Sequence, residues 1–287
     1  MIFSREEKIA HINKSPDSVA IHDKEKWLNI FSEYAIVEDP VGSKPHVTGL
    51  YDKKSSKSGN ANLARFYETF IAPNTIVFDI KNDIVCKNHV VRDLTVNIDM
   101  QGLPISVPMH LLYELVEEKE QLKIRRLAAH WELMPMMSLL MSEGLTALPI
   151  LTSMSARMMK HQGLSGAIGL TSGLGKLGKF GNQGKETVEK FLQAFNDKNQ
   201  SSLSRLFCND AVIHIPYGEI KTTPSEIFTN MCGTLSFSKL LLAGTTVTTS
   251  VTYKTDAESK SDNKQGVAIF EFDRNSKKIH RLTFYYE

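Results

Sequence analysis

The sequence contains the same pattern twice, and this internal repeat restricts the folds that the chain can adopt. Residues 27–42, WLNIFSEYAIVEDPVG, align with residues 203–218, LSRLFCNDAVIHIPYG, at an offset of 176. A second match has an offset of 155 and pairs KIRRLAAHWE at 123–132 with KIHRLTFYYE at 278–287. The smaller second offset fits an extra polar loop, YDKKSSKSGN, in the first copy and shorter turns in the second. Two tandem copies of one domain are therefore expected.

Each copy begins with helical periodicity and continues with strand alternation. Apolar side chains recur at i, i+3, i+4 and i+7 over residues 188–195, which predicts an amphipathic helix. In the first copy Pro16 interrupts the helical pattern, so that helix is expected to be kinked or split. Apolar and polar residues alternate over 94–100 and 105–113, which predicts long half-buried strands. Helices followed by an antiparallel sheet indicate an α+β fold.

The expected boundaries are 1–135 for the first domain, 136–184 for a connecting segment and 185–287 for the second domain. Seven of the eleven methionines lie between Met134 and Met159, and glycine is concentrated further along the same segment. Methionine fills irregular apolar gaps, so a helical cover over one or both sheets is predicted. The alternative is a flap that contacts lipid or a ligand.

Composition excludes several classes of protein. The net charge is +2 and no run of five like charges occurs, which argues against nucleic acid or an anionic membrane as partner. Three widely spaced cysteines, Cys86, Cys208 and Cys232, predict reduced thiols rather than disulfides. Charged residues replace the apolar core of an export signal near the N-terminus, and no apolar run is long enough to span a membrane. A cytoplasmic protein is expected.

Neither a cofactor nor a metal site is expected. SGLGKLGKF at 172–180 satisfies GxGxxG, but no β-branched strand leads into it, and Phe180 stands where a phosphate loop needs Ser or Thr. The nine histidines show no metal-ligand spacing such as HExxH.

The segment AIVEDPVGSKPH, residues 35–46, carries the most informative side chain. Strand alternation puts Val37 and Asp39 on one face and Glu38 on the other, and Pro40 favours an extended conformation at Asp39. A carboxylate is thereby placed at a strand end on the apolar side. The local sequence also fits an aspartate that only begins a turn.

The string VEDPVGSKP, followed by Gly49 and by RFYE at 65–68, resembles the ketosteroid isomerases of the nuclear transport factor 2-like (SnoaL-like) superfamily. The resemblance is specific over 37–45 and extends over the first copy. It implies a cone-shaped domain, with a strongly curved sheet around helices and an apolar pocket inside. It also implies that Asp39 is a general base, which removes a proton from a carbon next to a carbonyl.

The resemblance places other residues near this base. His110, in VPMH at 107–110, takes the position of the family's donor aspartate, and Ser15 stands where a donor tyrosine is expected. His110 could donate to an oxyanion or shuttle a proton; the alternative is a core histidine bonded to a backbone carbonyl.

Four further residues are candidates for substrate binding. Tyr67 and Phe66 match aromatic pocket positions, and Trp131 and His130 lie on the closing strand, where the pocket wall is expected. The alternative for all four is ordinary packing between helix and sheet.

The second copy lacks these functional groups. Ile215 aligns with Asp39 and Val267 with His110, and neither can transfer a proton. We therefore expect the second domain to be a structural partner or an apolar binding pocket. Because the superfamily often pairs through its sheets, an intrachain pseudo-dimer or a homodimer is expected.

These observations favour a proton-transfer enzyme, an isomerase or lyase, acting on a hydrophobic steroid- or polyketide-like carbonyl compound. Two alternatives stay open: a non-catalytic carrier of a hydrophobic small molecule, and a purely structural tandem module.

Overall fold

The computed structural model describes residues 3–49, 60–161, 180, 182–255 and 263–287, which divide into two compact units. The first unit comprises Met1–Asp83 and Asn88–Gly175, and the second comprises Ile84–Lys87 and Lys176–Glu287. The polar loop of the first copy and nearly all of the glycine-rich motif fall outside the described residues. No helix within the described ranges is long and apolar enough to cross a bilayer.

The first unit packs helices against a six-stranded sheet with the order β2-β1-β6-β5-β4-β3. Its elements are α1 (Arg5–Ala20), α2 (Lys24–Asn29), β1 (Phe31–Glu38), β2 (His46–Val47), α3 (Ala61–Phe66), a π-helical turn (Tyr67–Ile71), β3 (Thr75–Cys86), β4 (His89–Met100), β5 (Leu103–Glu118), β6 (Gln121–His130), α4 (Leu133–Ser142), a 3-10 turn (Gly144–Ala147) and α5 (148–161).

The α+β class is confirmed, but the sheet is mixed rather than antiparallel throughout. Strand β5 pairs antiparallel with β4 and β6, whereas β1 runs parallel to β6. Two strands joined by a tight hairpin must run antiparallel. Strands β1 and β6 are separated in sequence by most of the unit, so no hairpin constrains their relative direction. Alternation within a strand therefore could not reveal this pairing.

Helix α1 runs through Pro16 without a break, so the expected split at this residue was wrong. A capping box starts the helix, in which Ser4 accepts from the Glu7 backbone and Glu7 accepts from the Ser4 backbone. Ile12 and Val19 are buried on either side of the proline. Burial of both helix halves offsets the lost backbone hydrogen bond, and the chain leaves the helix only at Ile21.

The second unit repeats this architecture with the strand order β8-β7-β12-β11-β10-β9. Its elements are α6 (Gln183–Asn196), α7 (Gln200–Arg205), β7 (Phe207–His214), β8 (Lys221–Thr222), α8 (Ile227–Asn230), β9 (Gly233–Ala243), β10 (Thr246–Thr255), β11 (Asn263–Phe272) and β12 (Ile279–Tyr286).

The repeat extends to backbone conformation. The pairs α2/α7 and β1/β7 keep the offset of 176, and Gly42 and Gly218 have φ angles of 90° and 83°. Residues other than glycine rarely adopt such angles, which explains why both copies keep glycine at this turn.

The described interior of the second unit contains a large cluster of buried apolar side chains. Phe191 lies at the centre, with five other phenylalanine rings at centroid distances of 5.2 to 6.5 Å. Ile215, the counterpart of Asp39, is 1% exposed and belongs to this core. This packing favours a structural role for the second unit.

Candidate active site

The first unit encloses a cavity of about 170 Å³ between the inner face of its sheet and its helices. Most of the wall is aliphatic, aromatic or methionine side chain. The polar residues that line it are Ser15, Asp39, Thr69, Asn74, Tyr113, Trp131 and Arg157. Both methionine-rich helices contribute, through residues such as Met136 on α4 and Met154 on α5.

Strand register determines which residues face this cavity. Val37 pairs with Leu127 on β6, and Leu127 pairs with Tyr113 on β5, so these three side chains share one face of the sheet. All three line the cavity. Residues one position along the strands face the other side, where Arg126 pairs with Glu38 at 2.7 Å and with Glu114 at 2.8 Å.

Asp39 follows the last residue of β1 and lines the cavity together with Val37. Its side chain is partly buried, and its Oδ1 accepts a hydrogen bond of 2.6 Å from Nε1 of Trp131. Its other oxygen, Oδ2, has no hydrogen-bond partner within the described ranges. The predicted orientation, inward for Asp39 and outward for Glu38, matches this geometry.

Burial raises the pKa of Asp39 to about 6, and the hydrogen bond from Trp131 opposes part of this rise. Burial dominates because a desolvated carboxylate loses hydration that one indole donor cannot replace. At pH 7 such a group is about nine-tenths ionised, yet it is more basic than an ordinary aspartate. These are the properties of a general base that works near neutral pH.

The position of Asp39 is fixed by β6. The backbone N–H of Val41 donates to the carbonyl oxygen of Ala129 at 2.9 Å, which holds the turn after Pro40 against the end of that strand. Trp131 comes two residues after Ala129 on the same face. The end of β6 therefore supports the backbone near Asp39, and the residue that directly follows this strand supplies the donor to its side chain.

Tyr113 is a site residue that sequence reasoning missed. It is fully buried, lines the cavity, and its hydroxyl has no hydrogen-bond partner in the part of the chain that the structure describes. Burial raises its pKa to about 12, so it stays protonated and can donate. The sequence places Tyr113 on the same strand face as Met109 and Leu111. Only the pairing register of β5 with its neighbours shows that this face looks towards the cavity.

Arg157 on α5 also lines the cavity and was not anticipated. Its Nη1 donates to Oγ of Ser153 at 3.3 Å, while its Nε is buried without a partner among the described residues. Burial lowers the pKa of this guanidinium. No sequence pattern marks Arg157 as a site residue, because it belongs to the expected connecting segment and lies far in sequence from the other polar residues of the cavity.

The structure places His110 and His130 away from the cavity. They are cross-strand partners on β5 and β6. Successive side chains of a strand point to opposite faces, and these two histidines lie an odd number of positions from Tyr113 and Trp131, so they are on the other face of the sheet. His110 Nε2 is 3.9 Å from Oδ2 of Asp93, and His130 Nδ1 is 3.3 Å from the carbonyl oxygen of His110. Burial lowers the pKa of His130 to about 3, which keeps it neutral.

The remaining predicted residues divide between the cavity and the core. Phe66 and Trp131 line the cavity, as does Ser15, whose hydroxyl accepts from Nε1 of Trp27 at 3.2 Å. Tyr67 is not part of the wall: it is 2% exposed, packs on Trp27 at a ring distance of 5.5 Å, and its hydroxyl is unpartnered among the described residues. Only Asp39, Phe66 and Trp131 of the six candidates are thus brought together.

No group of three metal-ligating side chains occurs among the described residues. The described polar groups of the cavity are instead one carboxylate, one phenol, two indoles, one guanidinium and several hydroxyl or amide groups. This set can move protons and stabilise negative charge.

No protein-family model matches the chain, and no curated protein matches it either. Solved structures do show similarity. A Delta 5-3-ketosteroid isomerase from Mycobacterium sp. is 24% identical, with 45% of this chain and 94% of that chain covered and a TM-score of 0.36. A Mycobacterium tuberculosis protein in complex with estradiol-17beta-hemisuccinate is 19% identical, with 45% and 95% covered and a TM-score of 0.37.

An epoxide hydrolase from M. tuberculosis is 14% identical, with 50% of this chain and 96% of that chain covered and a TM-score of 0.38. Each of these structures spans about half of the present chain. None of them defines the activity of this protein, because the identities and TM-scores are low.

Proposed function

We propose that the first unit catalyses proton transfer at a carbon next to the carbonyl group of a small apolar compound, with Asp39 as the general base. The observation that carries this proposal is the Asp39 carboxylate beside an apolar cavity, with one oxygen held by Trp131 and the other without a partner among the described residues. Burial raises the pKa of this carboxylate to about 6, which suits a base at neutral pH.

In the proposed step, Asp39 removes a proton from the α-carbon. The C–H electron pair forms a carbon–carbon double bond, and the carbonyl π electrons move to oxygen to give an enolate. Protonated Asp39 then delivers a proton to a conjugated position, which gives isomerisation, or to the same carbon. Return to the same carbon gives exchange when the carboxyl proton has first been replaced by one from solvent water.

The enolate oxygen requires a donor, and Tyr113 supplies the best candidate. Its buried hydroxyl lacks a partner among the described residues, and a buried unsatisfied hydroxyl is costly. A hydrogen bond from this hydroxyl to the ketone oxygen would strengthen as negative charge develops on that oxygen, which is how preorganised donors stabilise transition states. His110 is not used, because it faces the opposite side of the sheet.

The cavity volume limits the ligand. An engineered apolar cavity of about 150 Å³ accepts benzene, whereas drug-sized pockets measure about 300–1,000 Å³. At about 170 Å³, this cavity suits a body of one or two rings. A tetracyclic steroid is larger than this volume.

Deuterium exchange tests the proposal. Wild-type protein in D₂O should accelerate deuterium incorporation at the α-carbon of indanone or tetralone, followed by NMR. Asp39→Asn should lose about 10²–10⁴-fold of the rate while binding the ketone nearly as well. Glu38→Gln is the matched control, because Glu38 is the neighbouring carboxylate on the other face. Wild-type exchange that persists in Asp39→Asn would refute the role of Asp39.

A ketone that binds without any exchange would instead support the carrier alternative. In that case the carboxylate would only shape the turn before Pro40. Failure of both ligands to bind would count against either pocket hypothesis.

A further inference from the structure

Arg157 is a cation in the cavity wall that no carboxylate of the described chain balances. It forms no ion pair within the described residues, and its one hydrogen bond joins Nη1 to Ser153 one turn earlier on α5. Asp39, the only carboxylate among the described residues that line the cavity, is not paired with it. Since arginine stays protonated in proteins, a partly buried positive charge lies in a mostly apolar wall.

Two arginines of the first unit that are more deeply buried have carboxylate partners. Arg92 pairs with Asp83 at 2.7 Å and contacts Asn13, and Arg126 is held between two glutamates. Arg157 is only partly buried, but its Nε is buried without a partner among the described residues. A desolvated charged group without a counterion is unfavourable, and a ligand in the cavity could supply one to Arg157.

The free edge of the guanidinium has a defined geometry. Because Ser153 occupies Nη1, the edge formed by Nε and Nη2 is left without a partner among the described residues. This planar pair of N–H donors matches the two oxygens of a carboxylate, which arginine binds through two parallel hydrogen bonds. Ser153 also accepts from Gln101 Nε2 at 2.8 Å, and this contact ties α5 to the β4–β5 turn.

We infer that the ligand of the first unit is an apolar keto acid whose carboxylate pairs with Arg157. The apolar body would occupy the cavity, and the carbonyl would lie towards the inner sheet face. The carbonyl assignment rests on the proposed function, whereas the carboxylate assignment rests on Arg157 alone.

Matched ligands test this inference. Benzoylpropionate is an aryl ketone with a carboxylate, and its methyl ester has the same body without the charge. Wild-type protein should bind the acid about 10- to 100-fold more tightly than the ester by calorimetry, since charged hydrogen bonds are worth about 1.5–3 kcal/mol. Arg157→Met should lose this preference and keep its affinity for the ester. An ester that binds wild-type protein as tightly as the acid would overturn the inference.

A second neutral variant, Arg157→Gln, guards against misfolding of the first, and thermal unfolding checks both. An acid preference that survives in either folded variant would also overturn the inference. Asp39→Asn separates the two proposals, because it should abolish α-proton exchange yet retain the acid preference. Exchange of neutral ketones without any acid preference would refute the keto acid and leave the proton transfer standing.

Discussion

The indole N–H of Trp131 donates to Oδ1 of Asp39 at 2.6 Å, although 92 residues separate them in the chain. This bond opposes the rise in pKa that burial imposes on the carboxylate. The basicity that burial gives to Asp39 is therefore moderated by a residue that directly follows β6.

Replacement of Trp131 by Phe should raise the pKa of Asp39 above about 6, because the ionised form loses its donor. The fraction of ionised base at pH 7 then falls, and the pH at which exchange reaches half its maximum moves upward. Carboxyl-carbon NMR titration and the pH profile of exchange measure this. Trp27→Phe is the control, because Trp27 lines the same cavity but donates to Ser15. An unchanged titration in Trp131→Phe would contradict the assignment.

Asp39→Asn should make the protein more stable at pH 8. The folded-state pKa is raised from 3.8 to about 6, so between these values the native state holds more protons than the unfolded state. Wild-type stability therefore falls as the pH rises through this window, by about 3 kcal/mol at most. The difference between variant and wild type should be largest above pH 7 and vanish below about pH 4. Urea unfolding across this range measures it, and a difference independent of pH would refute it.

Tyr113→Phe should reduce exchange about 10²–10³-fold through loss of the proposed enolate donor. Stability should change little or increase, because the hydroxyl has no partner among the described residues. Tyr67→Phe removes a second buried, unpartnered hydroxyl that does not line the cavity, so its activity should equal that of wild type. Equal loss of activity in both variants would indicate a general packing effect instead.

Ile215→Asp places a carboxylate at the Asp39 position of the second unit, within a cluster of buried apolar side chains. We expect it to lower the unfolding temperature strongly, with a cost of about several kcal/mol, because a charge in apolar surroundings loses its hydration. Ile215→Val, which removes one methylene, should cost only about 1 kcal/mol. Calorimetry compares them. A fully stable Ile215→Asp variant would show that this unit contains unfilled space.

Much of the fold could be predicted from local pattern. The repeat, the order of helices before strands, and the opposite facing of Asp39 and Glu38 all follow from spacing along one segment, and the structure agrees with them. The uninterrupted helix through Pro16 could not be predicted, because burial of Ile12 and Val19 depends on what packs against them.

Within the candidate site, His110 and Tyr113 show where local pattern stops. Both lie on β5 at opposite parity, and nothing in that strand says which parity faces inward. The register of β5 with β6, and of β6 with β1, puts the side chain of Tyr113 on the same face of the sheet as Asp39. The same register puts His110 on the opposite face. Arg157 could not be predicted as a site residue for a similar reason, because Asp39 and Tyr113, which line the same cavity, are distant from it in sequence.

The sequence by itself determined that the chain folds as two related α+β units and that only the first carries an acidic residue before the proline. Alternation and the repeat encode these facts, because each depends on neighbours a few residues away. Only the tertiary structure decided that the first unit has a cavity beside Asp39, that the counterpart Ile215 lies in an aromatic and aliphatic core, and which polar groups meet around the cavity. Cavities and polar clusters arise from contacts between strands and helices far apart in the chain, which no local spacing specifies.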